Sequence, residues 1–488
     1  MNWMPNLDTK NKGQVYTPAN IVKMMLDYAG YVSGPWIWKK HVIDNSCGDG
    51  QILCEVVRRY ITSFSNPSDW ELRDQLKEYI HGIELDETEC EKCKENLNRI
   101  LDEYYIERID WDIRCGNSLT FRDEFRGKMD YVFGNPPYVR TKNIKKSDDD
   151  YKILRWYDFS STGMSDLYLA FYELGLDMRN SGGILCYIAP SSWTNSVSGK
   201  VMRFHILETR ELAAVIDFGH YQVFDNASTY VMITLFDNHP HKYIRYDRYD
   251  GELKQDSLLS YEDVFIDDKM YFASKDECVV LKKVMNTSKK RIEVKNGYAT
   301  LADDIFIDNL PKFKKYTIDV VKASTGKWKK CLFPYDKDLN LIPLDVIEKT
   351  SPEVYDYLSW NFPTLNARTY DSKGITGTWH SIGRSQGLKD TFVNKVVVNN
   401  LVKTPDDLKL VDSPAGTGVY GGLYIKTEMS ADEIRNLLAN DEFVSYVKSL
   451  RKYKSGGYYT FSSKDLEKYL NYKLENYEGC EDYQSDSS

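Results

Sequence analysis

His41-Val42-Ile43-Asp44-Asn45-Ser46-Cys47-Gly48-Asp49-Gly50 reads as a short apolar strand running into a glycine turn, with a helical pattern from Gln51. Glycines there let the chain turn tightly and let a ligand approach the backbone. Further β-rich apolar runs fall at 79–86, 112–118, 129–137, 182–190, 212–218 and 229–237. Helical patterns lie at 21–30, 51–61, 87–105, 166–180 and 200–209. Near-continuous apolar strands alternating with helices predict an α/β fold, a parallel or mixed sheet covered on both faces.

The alternation stops after Asn238. Strands become short and irregular, and Gly, Tyr and Lys rise. At 488 residues the chain is long enough for two to four domains. The expected division is a catalytic domain over 11–238, a connecting segment over 239–290, a second α+β or mostly β domain over 291–474, and an acidic, disordered tail over 475–488. That tail holds five acids and no base.

Composition excludes several classes. Hydrophobic residues make up 42% and charged residues 28%, enough to bury real cores. No run of about 18 apolar residues suggests a membrane span. The polar N-terminus carries no secretory pattern. Nine scattered cysteines do not form a disulfide framework, so a reducing cytoplasm is expected. Net charge is -9, but residues 279–330 hold thirteen Lys/Arg against five Asp/Glu. With the tyrosines and Trp328 nearby, that local excess suits phosphate contact. Cys90 and Cys93 form a lone pair inside a helical pattern, short of the four ligands zinc takes, and no metal is expected.

The chemistry is carried by strand ends. The second strand ends in Glu84, placed to accept both hydroxyls of a ribose. Its distance from Gly50, 34 residues, exceeds the roughly 20 of a dinucleotide fold. The third strand ends in Asn117-Ser118, where an amide could meet a base edge. No Gly-Lys-Ser/Thr pattern follows the glycines, which argues against a triphosphate. The fourth strand runs into Asn135-Pro136-Pro137-Tyr138. Two prolines fix the backbone, so the Asn135 side chain and the Pro136 carbonyl become two directed acceptors for one amine. An aromatic amine is a poor nucleophile because its lone pair is delocalised; acceptors that pull its hydrogens out of plane restore the lone pair. Tyr138 offers a face for a flat base.

The order Gly13–Pro18 (Gly-Gln-Val-Tyr-Thr-Pro), the Asp44–Gly50 turn, Glu84, Asn117 and Asn135–Tyr138 resembles the γ-class, Taq-type adenine-N6 DNA methyltransferases of bacterial restriction–modification systems. The resemblance is strong over residues 13 to about 237. The stretches 379–386 and 455–466 resemble that family's C-terminal domains more loosely. It implies a Rossmann-like class I methyltransferase sheet followed by a target-recognition domain. It also implies S-adenosylmethionine as methyl donor, S-adenosylhomocysteine as product, and double-stranded DNA as partner. Tyr16, Thr17 and Pro18 would cover the methionine end. Asp44, Cys47, Gly48 and Gly50 would form the cofactor turn, with Asp44 toward the methionine moiety. Glu84 would take the ribose, Leu85 the adenine ring, and Asn117 with Ser118 the adenine amine. Many relatives have Asp at 117. Tyr168 lies in a matching helix start near the cofactor. Phe224, in its Val-Phe context, would sandwich a flipped adenine against Tyr138, with Tyr221 its rival.

Asn-Pro-Pro-Tyr also occurs in protein-glutamine and RNA methyltransferases, whose accessory domain usually comes first. N4-cytosine enzymes usually carry Ser in place of Asn135. A catalytically silent DNA-binding specificity protein is the remaining alternative. For DNA contact the candidates are Lys327, Lys329, Lys330, Arg384, Gln386, Arg451, Lys452 and Lys454. About ten residues precede the family segment, too few for a fused nuclease. A cognate restriction endonuclease, where there is one, is expected as a separate protein.

Overall fold

The structure, a computed structural model, describes residues 16–63, 68–141, 144, 149–161, 165–224, 229–368 and 378–485. The chain divides into two compact units, Met1–Cys278 and Val279–Ser488.

The first unit is built on a nine-stranded sheet, and all seven expected strands are in it. They are β1 (Val42–Asp44), β2 (Ile80–Glu84), β3 (Asp112–Cys115), β4 (Met129–Gly134), β5 (Arg179–Pro190), β6 (Leu212–Asp217) and β7 (Val231–Asp237). With β8 (Tyr243–Tyr249) and β9 (Leu253–Ser260), the order is β3-β2-β1-β4-β5-β7-β6-β8-β9. Strands β3, β2, β1, β4 and β5 are mutually parallel, and β7 runs antiparallel between β5 and β6. The expected helices are present as α1 (Ala19–Tyr28), α2 (Gln51–Thr62), α4 (Glu87–Glu103), α7 (Leu167–Met178) and α8 (Lys200–Thr209). Three more intervene: α3 (Asp69–Tyr79), α5 (Arg122–Phe125) and α6 (Asp149–Leu154).

Local chemistry sets these elements. Helix α4 starts at Asp86, whose side chain caps the Thr88 amide at 2.9 Å, with Glu87 and Glu89 in its first turn. Helix α2 buries Ile52, Leu53, Val56, Val57 and Tyr60 in one of the two large apolar clusters of this unit. Gly50, at its start, has φ +90, and a Cβ there would stand 2.7 Å from Cys93 Sγ. Among the described residues, no helix is long and apolar enough to cross a membrane.

Residues 239–290 are not a connecting segment. Strand β8 pairs in parallel with β6, and β9 closes the edge. Tyr28 of α1 donates to the fully buried Asp247 at 2.9 Å, and Tyr246 donates to Asp217 at 3.2 Å. The boundary therefore falls at 278/279. Strands β8 and β9 form a hairpin, which needs no crossover helix, so the sheet continues after the strand–helix rhythm ends.

The second unit has a four-stranded sheet (Glu293–Asn296, Leu423–Lys426, Lys395–Val398, Leu410–Ser413) and two three-stranded ones. It is richer in helix than expected, with Pro352–Trp360, Ala431–Leu438 and Asp441–Ser449 among its helices. The segment expected to be disordered from 475 continues the helix Ser463–Ser485; 486–488 lie outside the described residues. This helix covers the edge strand of the four-stranded sheet. Asn471 accepts the Arg291 and Ile292 amides at 2.6 and 3.0 Å, and Glu467 accepts that of Val294 at 2.9 Å. An edge satisfied this way does not recruit another strand.

A fragment ending at residue 285 should unfold in one cooperative transition. One ending at residue 238 strips β8 from β6 and should aggregate. Cooperative melting of the shorter fragment in circular dichroism would contradict the nine-stranded unit.

Candidate active site

Strand order reverses between β1 and β4, the place where open α/β sheets bind ligands beyond their strand ends. Both singled-out motifs lie there. Asp44 ends β1, and Asn135 follows Gly134 at the end of β4. The two strand ends nearly touch. A Cβ on Gly134 would lie 3.2 Å from both Asn45 Oδ1 and Ser46 Oγ, and 2.9 Å from the Tyr187 ring. The cofactor turn and the amine motif thus share a wall, and only glycine fits between them.

The turn is held from β2. Glu84 accepts the Gly48 amide at 3.0 Å with one oxygen and the Asp86 amide at 2.9 Å with the other. Its carboxylate is clamped by backbone on two sides, while burial raises its pKa above the ordinary value. Beside it Leu85 is 46% exposed, an apolar surface at the strand end. Asp44 is 1% exposed and accepts the Ser46 amide at 3.0 Å. Burial pushes its carboxyl up to about 7. Asn45 Oδ1, Ser46 Oγ and Asp49 Oδ1 are buried without a hydrogen-bond partner. Such atoms are costly unless a ligand meets them. A buried carboxyl that a cation would ionise, a second carboxylate at hydroxyl height, an open glycine turn and an apolar platform together suit an aminoacyl nucleoside.

Tyr16 lies across the turn. Its ring is 3.8 Å from where a Gly48 Cβ would be, and its hydroxyl donates to Glu89 at 3.0 Å. Asn117 caps the short turn after β3 by accepting the Leu119 amide at 3.0 Å. Ser118 is buried and donates to the Asn45 carbonyl at 2.7 Å, so it braces the β1 turn from behind. Cys47 and Cys93 are buried beneath the turn, and the hydrogen bond between them, with burial, raises the Cys47 thiol. Cys90 and Cys93 are both residues of α4, as expected.

At the motif, Asn135 Nδ2 donates to Thr17 Oγ1 at 3.2 Å, and the Tyr138 hydroxyl donates to Asn135 Oδ1 at 2.6 Å. Phe224, 2% exposed, meets Tyr138 edge-on, with ring centroids 6.1 Å apart at 61°. Tyr221 instead packs on Tyr249 at 4.9 Å and Phe218 at 6.4 Å. Of the two rivals, Phe224 is the one beside Tyr138. The segment after the motif is laced to α7, with Leu167 donating to the Val139 carbonyl at 2.8 Å.

Tyr168 is fully buried, and its hydroxyl meets Ser192 at 3.0 Å. Asn45, Tyr187 and Glu89 escaped sequence reasoning. Asn45 Nδ2 donates to the Tyr187 hydroxyl at 2.5 Å, a contact across 142 positions that no local pattern signals.

In the second unit, Arg384, Gln386, Lys327 and Lys454 are exposed. Lys329 pairs with Asp308 and Lys330 with Asp319. Lys452 pairs with the buried Asp465, which also caps Ser462, so its cation is already used to hold the chain. Arg451 is half-buried, at φ +53. Among the described residues, no group of three or more His, Cys, Asp or Glu could hold a metal ion.

Residues 52–224 match the Eco57I restriction-modification methylase family. The Type II methyltransferase M.BstVI of Geobacillus stearothermophilus is 26% identical over 425 residues, covering 76% of this chain and 74% of its own. The Type II restriction enzyme and methyltransferase RM.Eco57I of Escherichia coli is 23% identical; the match covers 85% of this chain but only 52% of that enzyme. The Type IIL restriction-modification enzyme MmeI, solved with DNA, shares the fold at TM-score 0.61 and 14% identity, over 91% of this chain and 63% of its own. In fold and over the matched stretch, the first unit is similar to the S-adenosylmethionine-dependent methyltransferase domains of restriction–modification enzymes.

Asp44 makes a pH prediction. A carboxyl raised from 3.8 to about 7 favours the fold at low pH; that stability is lost as pH rises to 7, then the loss levels off. Asp44→Asn should therefore raise the melting temperature more at pH 8 than at pH 5. Equal shifts at the two pH values would show that Asp44 is not buried as a costly charge.

Proposed function

We propose that the chain transfers a methyl group from S-adenosylmethionine to N6 of an adenine turned out of double-stranded DNA. The observation that carries this is the placement of Asn135 and Pro136 at the β1/β4 switch point, against the cofactor turn. When bound, the donor supplies an electrophilic sulfonium methyl. The chain's own residues do the rest. Asp44 receives the methionine ammonium, and Glu84, already oriented by two amides, receives the ribose hydroxyls. Leu85 and Asn117 flank the adenine of the cofactor, and the Tyr16 ring, with the backbone of Thr17 and Pro18, covers its methionine end. Asn135 Oδ1 and the Pro136 carbonyl accept the two hydrogens of the target amine and localise its lone pair. Asn135 stands where cytosine-N4 enzymes of this motif usually carry Ser, which favours adenine.

Tyr138 and Phe224 hold the extruded base. They now meet edge-on, so the base enters as one ring turns. The second unit reads the duplex, with exposed Arg384, Gln386, Lys327 and Lys454 the first candidates. The product protects sites against a restriction endonuclease.

Two predictions test this. Asn135→Ala should bind cofactor, measured by calorimetry, yet lose transfer of labelled methyl to DNA. One lost acceptor in a closed site costs about 3 kcal/mol, roughly a hundredfold. Near-normal turnover would sink the assignment. Phe224→Ala removes about 1–3 kcal/mol of stacking. It should slow methylation of a paired adenine more than that of a mispaired one, which costs less to extrude. Tyr221→Ala should leave both rates unchanged; an effect from Tyr221 alone would make it the partner ring.

A further inference from the structure

The amine motif is not held by its prolines alone. Proline fixes the backbone of 136 and 137, but the Asn135 side-chain amide can still turn by 180° about its last bond. In one orientation the oxygen faces the incoming amine. In the other the NH2 group does, and a donor opposes a donor. The two ends of an amide differ little in size, so sterics choose weakly between them. Hydrogen bonds choose strongly.

The structure contains a polar chain that makes this choice. Asn135 Nδ2 donates to Thr17 Oγ1 at 3.2 Å, and Asn135 Oδ1 accepts the Tyr138 hydroxyl at 2.6 Å. Thr17 is itself buried, 5% exposed, on the residue before Pro18, which precedes helix α1. Its position is thus set by the fold, from a segment 118 positions away from the motif. The Tyr138 hydroxyl also reaches the Ile188 carbonyl at 3.4 Å, so it has a second acceptor if it leaves Asn135.

We infer that Thr17 is a positioning residue of the methyl-transfer site: its hydroxyl holds Nδ2 of Asn135 so that Oδ1 faces the target amine. This rests on the amino-methyl transfer reading above. The Tyr138 hydroxyl occupies Oδ1 in the resting site. It shifts toward the Ile188 carbonyl as the amine N–H takes its place. No bond is made or broken in this exchange; one O–H donor is replaced by one N–H donor. Without Thr17 as acceptor, the amide populates both orientations, and only one of them is productive.

The test compares Thr17→Val, which keeps the shape and removes the acceptor, with Thr17→Ser, which keeps the hydroxyl. The full-length chain is assayed for labelled methyl transfer, and cofactor affinity is measured by calorimetry. The wild-type chain must transfer methyl; if it does not, the function reading fails before this one is reached. Thr17→Val should lower kcat about twofold or more, in proportion to the share of amides turned the wrong way, while the cofactor Kd stays unchanged, and Thr17→Ser should restore kcat. The deciding comparison repeats Thr17→Val in a chain carrying Asn135→Asp. A carboxylate has two equivalent oxygens and no wrong orientation, so there the loss should shrink toward nothing. An equal loss in both chains, an unchanged kcat, or a defect confined to cofactor Kd would each overturn the assignment. If Asn135→Asp alone transfers no methyl, the Ser-against-Val contrast in kcat at constant cofactor affinity decides.

Discussion

Everything at this site depends on how closely β1 and β4 end beside each other. They are sequence-distant strands paired in parallel, Asp44 opposite Phe133, and the next residue of β4 is a glycine. Any side chain at 134 would collide with Tyr187 and crowd Asn45 and Ser46. That close approach makes one wall of two motifs. On the function proposed, the donor on one side and the acceptor amine on the other are then aligned by backbone, before any loop moves. Orientation fixed in advance is a large part of what such a site contributes to rate.

The free site stores unfavourable electrostatics. Asp44 is a buried carboxyl and Glu84 a half-buried one, both with raised pKa values, and unpartnered oxygens of Asn45, Ser46 and Asp49 sit around them. A ligand bringing an ammonium and hydroxyls relieves these costs. Specificity for such a ligand follows from the same fact, since an analogue lacking those groups leaves the buried atoms unpaired. The glycine turn also depends on Glu84, because Gly48 donates to it. A residue expected only to touch ribose therefore shapes the turn as well.

Much of this was legible in the sequence. Seven strands and five helices appear where apolar runs and 3.6-residue periodicity place them, and the strand-end motifs mark the switch point. Phe224 emerges beside Tyr138, as its Val-Phe context suggested. What escaped has physical reasons. Strand β8 alternates buried Ile244 and Tyr246 with exposed Arg245, a half-covered pattern that looks like loop beside the fully buried strands before it. Tyr168 sits in an apolar helix start, and only the three-dimensional packing shows that its hydroxyl turns inward to Ser192. Lys452 looked available for phosphate until Asp465, thirteen positions on, was seen to hold it. Pairings across long stretches of sequence, such as Asn45 with Tyr187, leave no local trace.

The central claim is that Asn135 and Pro136 present two acceptors to an adenine amine. The most direct measurement is nucleoside mass spectrometry of DNA methylated in vitro by the purified chain with isotopically labelled S-adenosylmethionine. The account predicts label in N6-methyladenine at a single sequence context. Label in N4-methylcytosine, or in RNA or protein but not DNA, would contradict it.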